Sequence, residues 1–318
     1  MEATSNSLEI KKQNRSRIVK YIIENKETSR QRIAKALGYS MPTVFSNVTE
    51  LIETGLLHEV GEYGSTGGRK AKMLAVCKGF RYVVGIDISK RHVRIVLMDL
   101  SGEIVKKDYY PCLYEDSAAY YHDLGEHLEK FLDNEGIERN RMIGVGISIP
   151  GVFNLDEGVL QQSHILNVKG VSLQRFEKNI HYPISFGNDA KCAAYAELKH
   201  TKENVAYFSL KNTIGGAIYH NGVLYEGDSY KSGEFGHMIV RPGGRPCFCG
   251  KRGCLVAYCS GDVLRSAPDM PLEDFFAGVD AKDADCLSRW DDYMDNLAIA
   301  VTNIRMALDC NIVLGGYV

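Results

Sequence analysis

No stretch of the 318 residues approaches the run of about 20 apolar residues that a membrane span needs. The opening MEATSNSLEIKKQNR has none of the apolar body of a secretory signal. These two absences point to a cytoplasmic protein with no membrane partner. Biased composition is also missing: 45% hydrophobic and 25% charged residues exclude disordered and fibrous classes. So is a large excess of one charge, the formal net value being -2. Nine cysteines are an odd number, and thiols stay reduced in a cytoplasm, so metal binding explains them better than a disulfide framework.

The near-neutral total hides an asymmetry. Residues 1–72 hold 12 Lys/Arg against 8 Asp/Glu, which leaves the remainder acidic. A basic amino-terminal end on an acidic protein suggests a local site for a polyanion. Length alone favours two or three domains at roughly 100–200 residues each.

Within NRSRIVKYIIENK, Ile18, Val19, Ile22 and Ile23 recur at helical spacing, which predicts a helix over residues 14–25. Ser29 is placed to cap a second short helix, RQRIAKALG, that Gly38 stops. Ser40 and Pro42 open a third, with Val44, Val48, Leu51 and Ile52 as its buried stripe. A short helix, a tight turn and a longer helix form the helix-turn-helix pattern, whose second helix enters the major groove. On that pattern Thr43, Ser46, Asn47 and Phe45 point outward to read bases. Arg15, Arg17 and Arg32 supply phosphate contacts, with Arg69 and Lys70 on the Gly-rich tip between two further strands, a wing. A small interaction module with a solvated basic face is the alternative.

From Arg81 the pattern turns β-rich. YVVGIDIS, VRIVLMDL and SGEIVKKDYY read as three strands, a helix follows around 117–133, and MIGVGISIPG is a fourth strand. The order βββαβ, with Asp87 ending one strand and Pro150-Gly151 another, resembles the ribonuclease-H-like α/β fold of actin and the sugar kinases. With FGNDAKCAAYAE and SGEFGHMIVRPGGRPCFCGKRGCLVAYCSG, the chain is similar to the ROK family (repressors, open reading frames and kinases), from about residue 12 onward. The branch it resembles is that of NagC/XylR-type transcriptional repressors. The expected division is a winged-helix domain over 1–78, a first kinase-like subdomain over 79–190 and a second, zinc-bearing one over 191–318.

The resemblance implies a sugar pocket built from Asn188, Asp189, Glu234 and His237. In the kinase members the aspartate at the position of Asp189 is also the base for phosphoryl transfer; a helix N-cap is its plainer role. The resemblance further implies a structural zinc ion on His237, Cys247, Cys249 and Cys254, four N/S ligands that leave no open position. Gly250 and Gly253 permit its tight loop, and Cys259 reads as a buried small hydrophobe. Val256 stands where sugar-binding members carry a glutamate acceptor.

Kinase members have a DxGGT turn after the first strand, and here Asp87-Ile88-Ser89-Lys90-Arg91 has no glycine. Their second phosphate loop, GTGIGGG, survives only partly in Lys211-Asn212-Thr213-Ile214-Gly215-Gly216-Ala217. Lys90 and Arg91 remain available to phosphate as point charges, but turnover needs tighter positioning, so ATP is not an expected cofactor. Near the end, ALDCNIVLGGYV looks like the family strand and Gly-Gly turn that precede further helices, and a chain ending at Val318 implies truncation or a missing closing helix. The expected activity is that of a sugar-responsive repressor, a homodimer or homotetramer on double-stranded operator DNA, with a sugar or sugar phosphate as effector. An ATP-dependent hexose or amino-sugar kinase with an accessory DNA-binding domain is the rival.

Overall fold

Helix-forming periodicity organises the amino-terminal end of the computed structural model, which describes residues 2–62, 72–267 and 270–318. Helix α1 (Glu2–Asn25) buries Ile18 and Ile22 completely. It begins a dozen residues earlier than the apolar stripe predicts. Residues 2–14 contain no Gly or Pro to stop a helix, and Lys11 and Arg15 both pair with Glu50 on a later helix, which anchors the polar extension. Ser29 caps α2 (Arg30–Leu37), accepting the Arg32 N–H, and Gly38 ends it at φ +68°. Ser40 caps α3 (Met41–Glu53) by accepting the Thr43 N–H, with Pro42 in the first turn.

Strands β2 (Leu57–Glu62) and β3 (Lys72–Val76) pair antiparallel, and the two-residue β1 (Thr28–Ser29) adds to the far edge of β3. Two residues carry no periodicity, so β1 leaves no sequence signal. Ile18, Ile22, Ile33, Val44, Val48, Leu57 and Leu74 close one core between the helices and this sheet. Arg69 and Lys70 lie outside the described residues.

The next sheet has the order β11-β7-β4-β5-β6. Strands β4 (Tyr82–Ile88), β5 (His92–Asp99) and β6 (Ile104–Pro111) form an antiparallel meander, and β7 (Met142–Ile149) lies parallel to β4 after the crossover helix α4 (Ala118–Asn134). Between β7 and β11 (Ile184–Asn188) stands an antiparallel ribbon of β8 (Val152–Asn154), β9 (Val159–Ser163) and β10 (Val168–Ser172), followed by the one-turn α5 (Gln174–Glu177). α4 and α5 cover one face of the large sheet, packing Tyr121, Leu124, Leu128 and Phe176 on Ile86, Ile95 and Ile147.

Helix α6 (Asp189–Leu198) leads to a second sheet of order β14-β13-β12-β15. Its strands β12 (Val205–Leu210), β13 (Ile214–His220), β14 (Val223–Tyr225) and β15 (Asn311–Gly316) repeat the three-two-one-four arrangement of the first, with β15 parallel to β12. Helices α7 (Val256–Cys259), α8 (Gly261–Leu264), α9 (Leu272–Asp280) and α10 (Ala284–Leu308) pack on one face around Phe208, Phe275 and Tyr293. Two sheets of the same winding, each backed by helices, make a two-lobed α/β architecture of the ribonuclease-H-like kind expected from the sequence.

The aromatic contacts of Phe176 test the first core. Its ring stands 4.7 Å from Tyr121 and 5.4 Å from Phe186, and 1% of the residue is exposed. Phe176→Ala is expected to lower the unfolding free energy by about 3–5 kcal/mol, measured by urea denaturation, because a large buried cavity replaces the ring.

Candidate functional site

Between the two sheets opens a cleft of about 460 Å³. Pro150 and Gly151, at the end of β7, form one side, together with Gln162, Ser163 and His164 from the ribbon. Asn188 and Asp189 lie at its base, where β11 passes directly into α6. Glu234, His237, Phe248, Cys249 and Lys251 close the opposite side. All four residues assigned to sugar from the sequence therefore line one cavity.

Asn188, not Asp189, is the N-cap of α6. Its Oδ1 accepts the N–H groups of Ala190 and Lys191 at 2.9 and 3.1 Å, while its Nδ2 donates to the Gly151 carbonyl at 3.0 Å. That leaves a single amide hydrogen for any ligand. Asp189, released from capping, is the first residue of the helix, where a carboxylate suits the positive end of the dipole. Lys211 Nζ approaches its Oδ2 at 3.4 Å.

Glu234 is half-buried, and burial raises its pKa; Lys191 and Lys231 oppose that shift and the Asp189 charge adds to it. The loop carrying Glu234 is tethered twice. Lys191, with its side chain 12% exposed, pairs with Glu226 and reaches the Tyr230 carbonyl at 3.4 Å. The Tyr230 hydroxyl donates to Asp156 on the turn between β8 and β9, which ties the loop to the ribbon across the cleft.

His237, Cys247, Cys249 and Cys254 gather their donor atoms within 4.8 Å of one another. Cys249 Sγ lies 3.7 Å from Cys254 Sγ, and Cys247 Sγ 3.6 Å from His237 Nδ1. A tetrahedron with Zn–S bonds near 2.3 Å and a Zn–N bond near 2.0 Å has edges of roughly 3.5–3.8 Å. The cluster therefore suits a structural zinc ion in both donor type and spacing. The protein part alone treats the thiols unequally: burial and the neighbouring Cys247 and Cys249 push Cys254 up to about 12 and burial raises Cys247, whereas on Cys249 burial is outweighed by the hydrogen bonds from the Lys251 N–H and the neighbouring thiols, which hold it below its ordinary value. A divalent cation would favour the deprotonated form of Cys247 and Cys254 as well, since it binds thiolates. Gly253 has φ +83°, and a Cβ there would stand 1.8 Å from the Arg241 carbonyl oxygen, so only glycine closes this loop.

The metal-type loop is also cleft wall. The rings of His164, His237 and Phe248 contact one another at 5.2–5.9 Å, joining the ribbon to the loop. Cys259 lies outside the cluster, fully buried, with its thiol donating to the Tyr293 carbonyl at 3.2 Å. Val256 departs from the sequence expectation of a lost acceptor in the pocket. It is 4% exposed, packs in the apolar core of the second sheet and does not line the cleft.

The turn after β4 is closed on itself. The Ser89 N–H donates to the His92 carbonyl at 3.0 Å, and Ser89 Oγ accepts the His92 N–H at 3.3 Å. Those amides are consumed by the hairpin rather than turned toward a phosphate. Lys90 and Arg91 are exposed at its tip. The two glycines kept from the second loop have packing reasons: a Cβ on Gly215 would stand 2.6 Å from that of Ala190, and one on Gly216 2.4 Å from the Phe235 ring.

On α3 the sequence reading is partly corrected. Ser46 and Phe45 are exposed, with the Arg30 guanidinium 5.5 Å from the centre of the Phe45 ring. Thr43 is half-buried and its hydroxyl is engaged with that of Ser40 at 2.8 Å. Asn47 does not point outward. It is 4% exposed and its Nδ2 donates to the Thr43 carbonyl one turn earlier at 2.8 Å, because position 47 adjoins the Val44–Val48 stripe. Of the basic residues expected to meet phosphate, Arg15 is paired with Glu50 and Arg17 is exposed. The sequence reading missed Gln162, His164, Lys231, Phe248 and Lys251, whose positions follow from the ribbon and the loops rather than from local spacing.

Replacing Cys249 by Ser is expected to abolish stoichiometric zinc, about one ion per chain in the unaltered protein, and to leave residues 1–78 folded. Elemental analysis with circular dichroism checks both halves.

Residues 83–318 match the model of the ROK family. The chain is 29% identical over 306 residues to the xylose repressor of Bacillus subtilis (strain 168), covering 93% of itself and 79% of that protein. It is 30% identical over 265 residues to a glucokinase of Halalkalibacterium halodurans, covering 74% of itself and 80% of that enzyme. Among solved structures, a ROK family transcriptional regulator described as a homologue of the Escherichia coli MLC protein superposes with a TM-score of 0.79 at 22% identity, over 96% of this chain and 83% of the other. Kinases and repressors thus share the fold, and the chain belongs to the ROK family.

Proposed function

We propose that the chain is a sugar-responsive transcriptional repressor of carbohydrate uptake or catabolism genes, working as a homodimer or homotetramer on a palindromic operator. One observation carries this reading. A cleft rich in groups suited to sugar hydroxyls stands on a scaffold whose first turn lacks the kinase glycines and spends the Ser89 N–H on the His92 carbonyl. Binding chemistry is kept where transfer chemistry is not. The amino-terminal module supports the same reading: two capped helices meet at a Gly38 turn, α3 offers an exposed face, and an antiparallel pair follows, as in a winged helix.

In this proposal Ser46 and Phe45 meet base edges near the amino-terminal end of α3, with Thr43 behind them, while Arg17, Arg69 and Lys70 neutralise phosphates. Asn47 is left out, its amide being turned inward. Asp189 and Glu234 accept hydroxyl hydrogen bonds and Asn188 donates its remaining one. His237 holds the wall through the zinc cluster with Cys247, Cys249 and Cys254. Sugar re-aims the DNA-binding domains only if the two arrangements differ in sugar affinity, since equal affinity shifts nothing.

As a kinase, the chain would need Asp189 as general base and backbone donors for nucleotide phosphates. A lysine ammonium instead faces that carboxylate. Purified protein is expected to show no hexose-dependent turnover of ATP; turnover abolished by Asp189→Asn would contradict this.

Selection of bound fragments from the source genome, followed by footprinting, is expected to yield a palindromic site beside sugar-uptake or sugar-catabolic genes. On that site Arg69→Ala and Lys70→Ala should each reduce the salt dependence by about one counterion, equally on all sequences. Ser46→Ala should cost about 1–3 kcal/mol on the operator and little on random DNA. No enriched site at low salt with folded protein would overturn the DNA-binding reading.

A further inference from the structure

Residues 77–81 join the amino-terminal module to the first sheet, and modules on so short a linker move relative to one another unless contacts hold them. Such contacts lie on both sides of the linker. The Cys77 N–H donates to the Leu56 carbonyl at 2.9 Å, and the Phe80 ring lies beside Gly55, just past α3, where a Cβ would stand 3.7 Å from it. From the sheet side, the Arg81 guanidinium donates to the Asn140 carbonyl, Arg141 donates to the Gly79 carbonyl at 3.4 Å, and the Leu100 N–H donates to the Arg81 carbonyl at 3.2 Å.

The turn between β5 and β6 supplies the firmest hold. Asp99 is 5% exposed, a depth at which a carboxylate is costly without partners. Its Oδ1 accepts the Ser101 N–H, the Ser101 hydroxyl and the Glu103 N–H at 2.9, 2.6 and 3.1 Å, while its Oδ2 accepts the Gly79 N–H at 3.2 Å. Burial by itself raises the pKa of this group, but these hydrogen bonds outweigh it and hold the carboxylate below its ordinary value. One oxygen therefore builds the turn and the other grips the linker. Gly79 presents its N–H from φ +68°, a left-handed conformation that favours glycine. Leu100, the next residue of the turn, packs against the apolar core of the amino-terminal module. A turn of the first sheet thus touches the linker and the module together.

We propose that Asp99 and Leu100 form a latch that makes the amino-terminal module and the first sheet one rigid body, so that a rotation of that sheet about the cleft is carried directly to α3. Strand β7 completes the path. Its eight residues, roughly 26 Å at the usual rise of a strand, lead from just after Arg141, at the linker, to just before Pro150 and Gly151 in the cleft wall. Coupling needs two arrangements that both sites bias. Here these are two settings of the cleft, and the module follows its sheet in each. The regulatory half of the inference rests on the sugar-sensing reading; the rigid connection does not.

Asp99→Asn separates the two roles of the carboxylate. The amide oxygen keeps the turn, and the amide nitrogen then faces the Gly79 N–H, donor against donor. Limited trypsin digestion of the full chain reads the linker, which carries cleavage sites after Lys78 and Arg81, with the exposed Lys202 between α6 and β12 as internal reference. Linker cleavage is expected to rise at least about tenfold in Asp99→Asn, the worth of one hydrogen bond to a charged group, with the Lys202 rate unchanged. Leu100→Ala should raise it as well and decides the matter if thermal melts show that Asp99→Asn does not fold. Linker cleavage within about twofold of the unaltered rate in the folded variants would overturn the latch. Operator affinity is then measured on the fragment recovered by selection, with and without glucose, xylose and glucose 6-phosphate. A sugar that shifts operator affinity in the unaltered chain is expected to lose that effect in Asp99→Asn, while sugar and operator each bind alone as before. An undiminished shift in the folded variant would overturn the coupling role. No shift in the unaltered chain would count against the sensing reading instead, and the digestion would still decide the latch.

Discussion

The side chain of Asn188 is the joint on which the candidate site depends. It closes β11, caps α6 with two accepted hydrogen bonds, and holds the Gly151 carbonyl at the end of β7 with a third. A cap of this kind is worth about 1 kcal/mol as local structure. Its geometric consequence is larger. Because the amide does the capping, the next residue, Asp189, keeps its carboxylate for the cleft. Because the same amide grips Gly151, the ends of two parallel strands and the start of the helix share one register. Asp189, Pro150 and Gly151 consequently line a single cavity.

The opposite wall is organised differently, by loops with little regular structure of their own. Tyr230 and Lys191 tether the Glu234 loop, and the His237–Cys247–Cys249–Cys254 cluster gathers the loop beyond it. Loops of this kind hold position only through such cross-links. The zinc ion that the cluster suits would shape the pocket without entering its chemistry, since the donor set fills a tetrahedral shell. The positions that resemble the kinase phosphate loops have local structural roles here. The Ser89 turn is a closed hairpin, Gly215 and Gly216 are spacers against Ala190 and Phe235, and Lys211 pairs with Asp189.

Much of this was legible in the sequence. The cap residues Ser29 and Ser40, the stop at Gly38 and the βββαβ order act through near neighbours and emerged from local pattern, while the His/Cys cluster came from the family resemblance of its motif. The misreadings share another cause. Asn47 was placed outward by position along a helix, but one residue of rotation decides between core and solvent, and its amide satisfies itself on the Thr43 carbonyl. Val256 was taken as a pocket residue by correspondence of motifs, yet α7 turns it into the apolar core. The capping role went to Asp189 rather than Asn188, a one-residue error in where the strand ends. The ribbon that brings Gln162 and His164 to the cleft is three short strands without clear alternation, and Lys231 is positioned by tethers 35 and 74 residues distant in sequence, formed by Lys191–Glu226 and Tyr230–Asp156.

The central claim is that one equilibrium links the cleft to the DNA-binding module. Linkage makes that claim reciprocal: if sugar changes operator affinity by some factor, operator must change sugar affinity by the same factor. The most direct measurement is therefore the sugar dissociation constant of the full chain, taken with and without saturating operator DNA, alongside operator affinity with and without saturating sugar. The account predicts two equal factors, each of about fivefold or more. Sugar that binds with the same constant whether or not operator is present would contradict it.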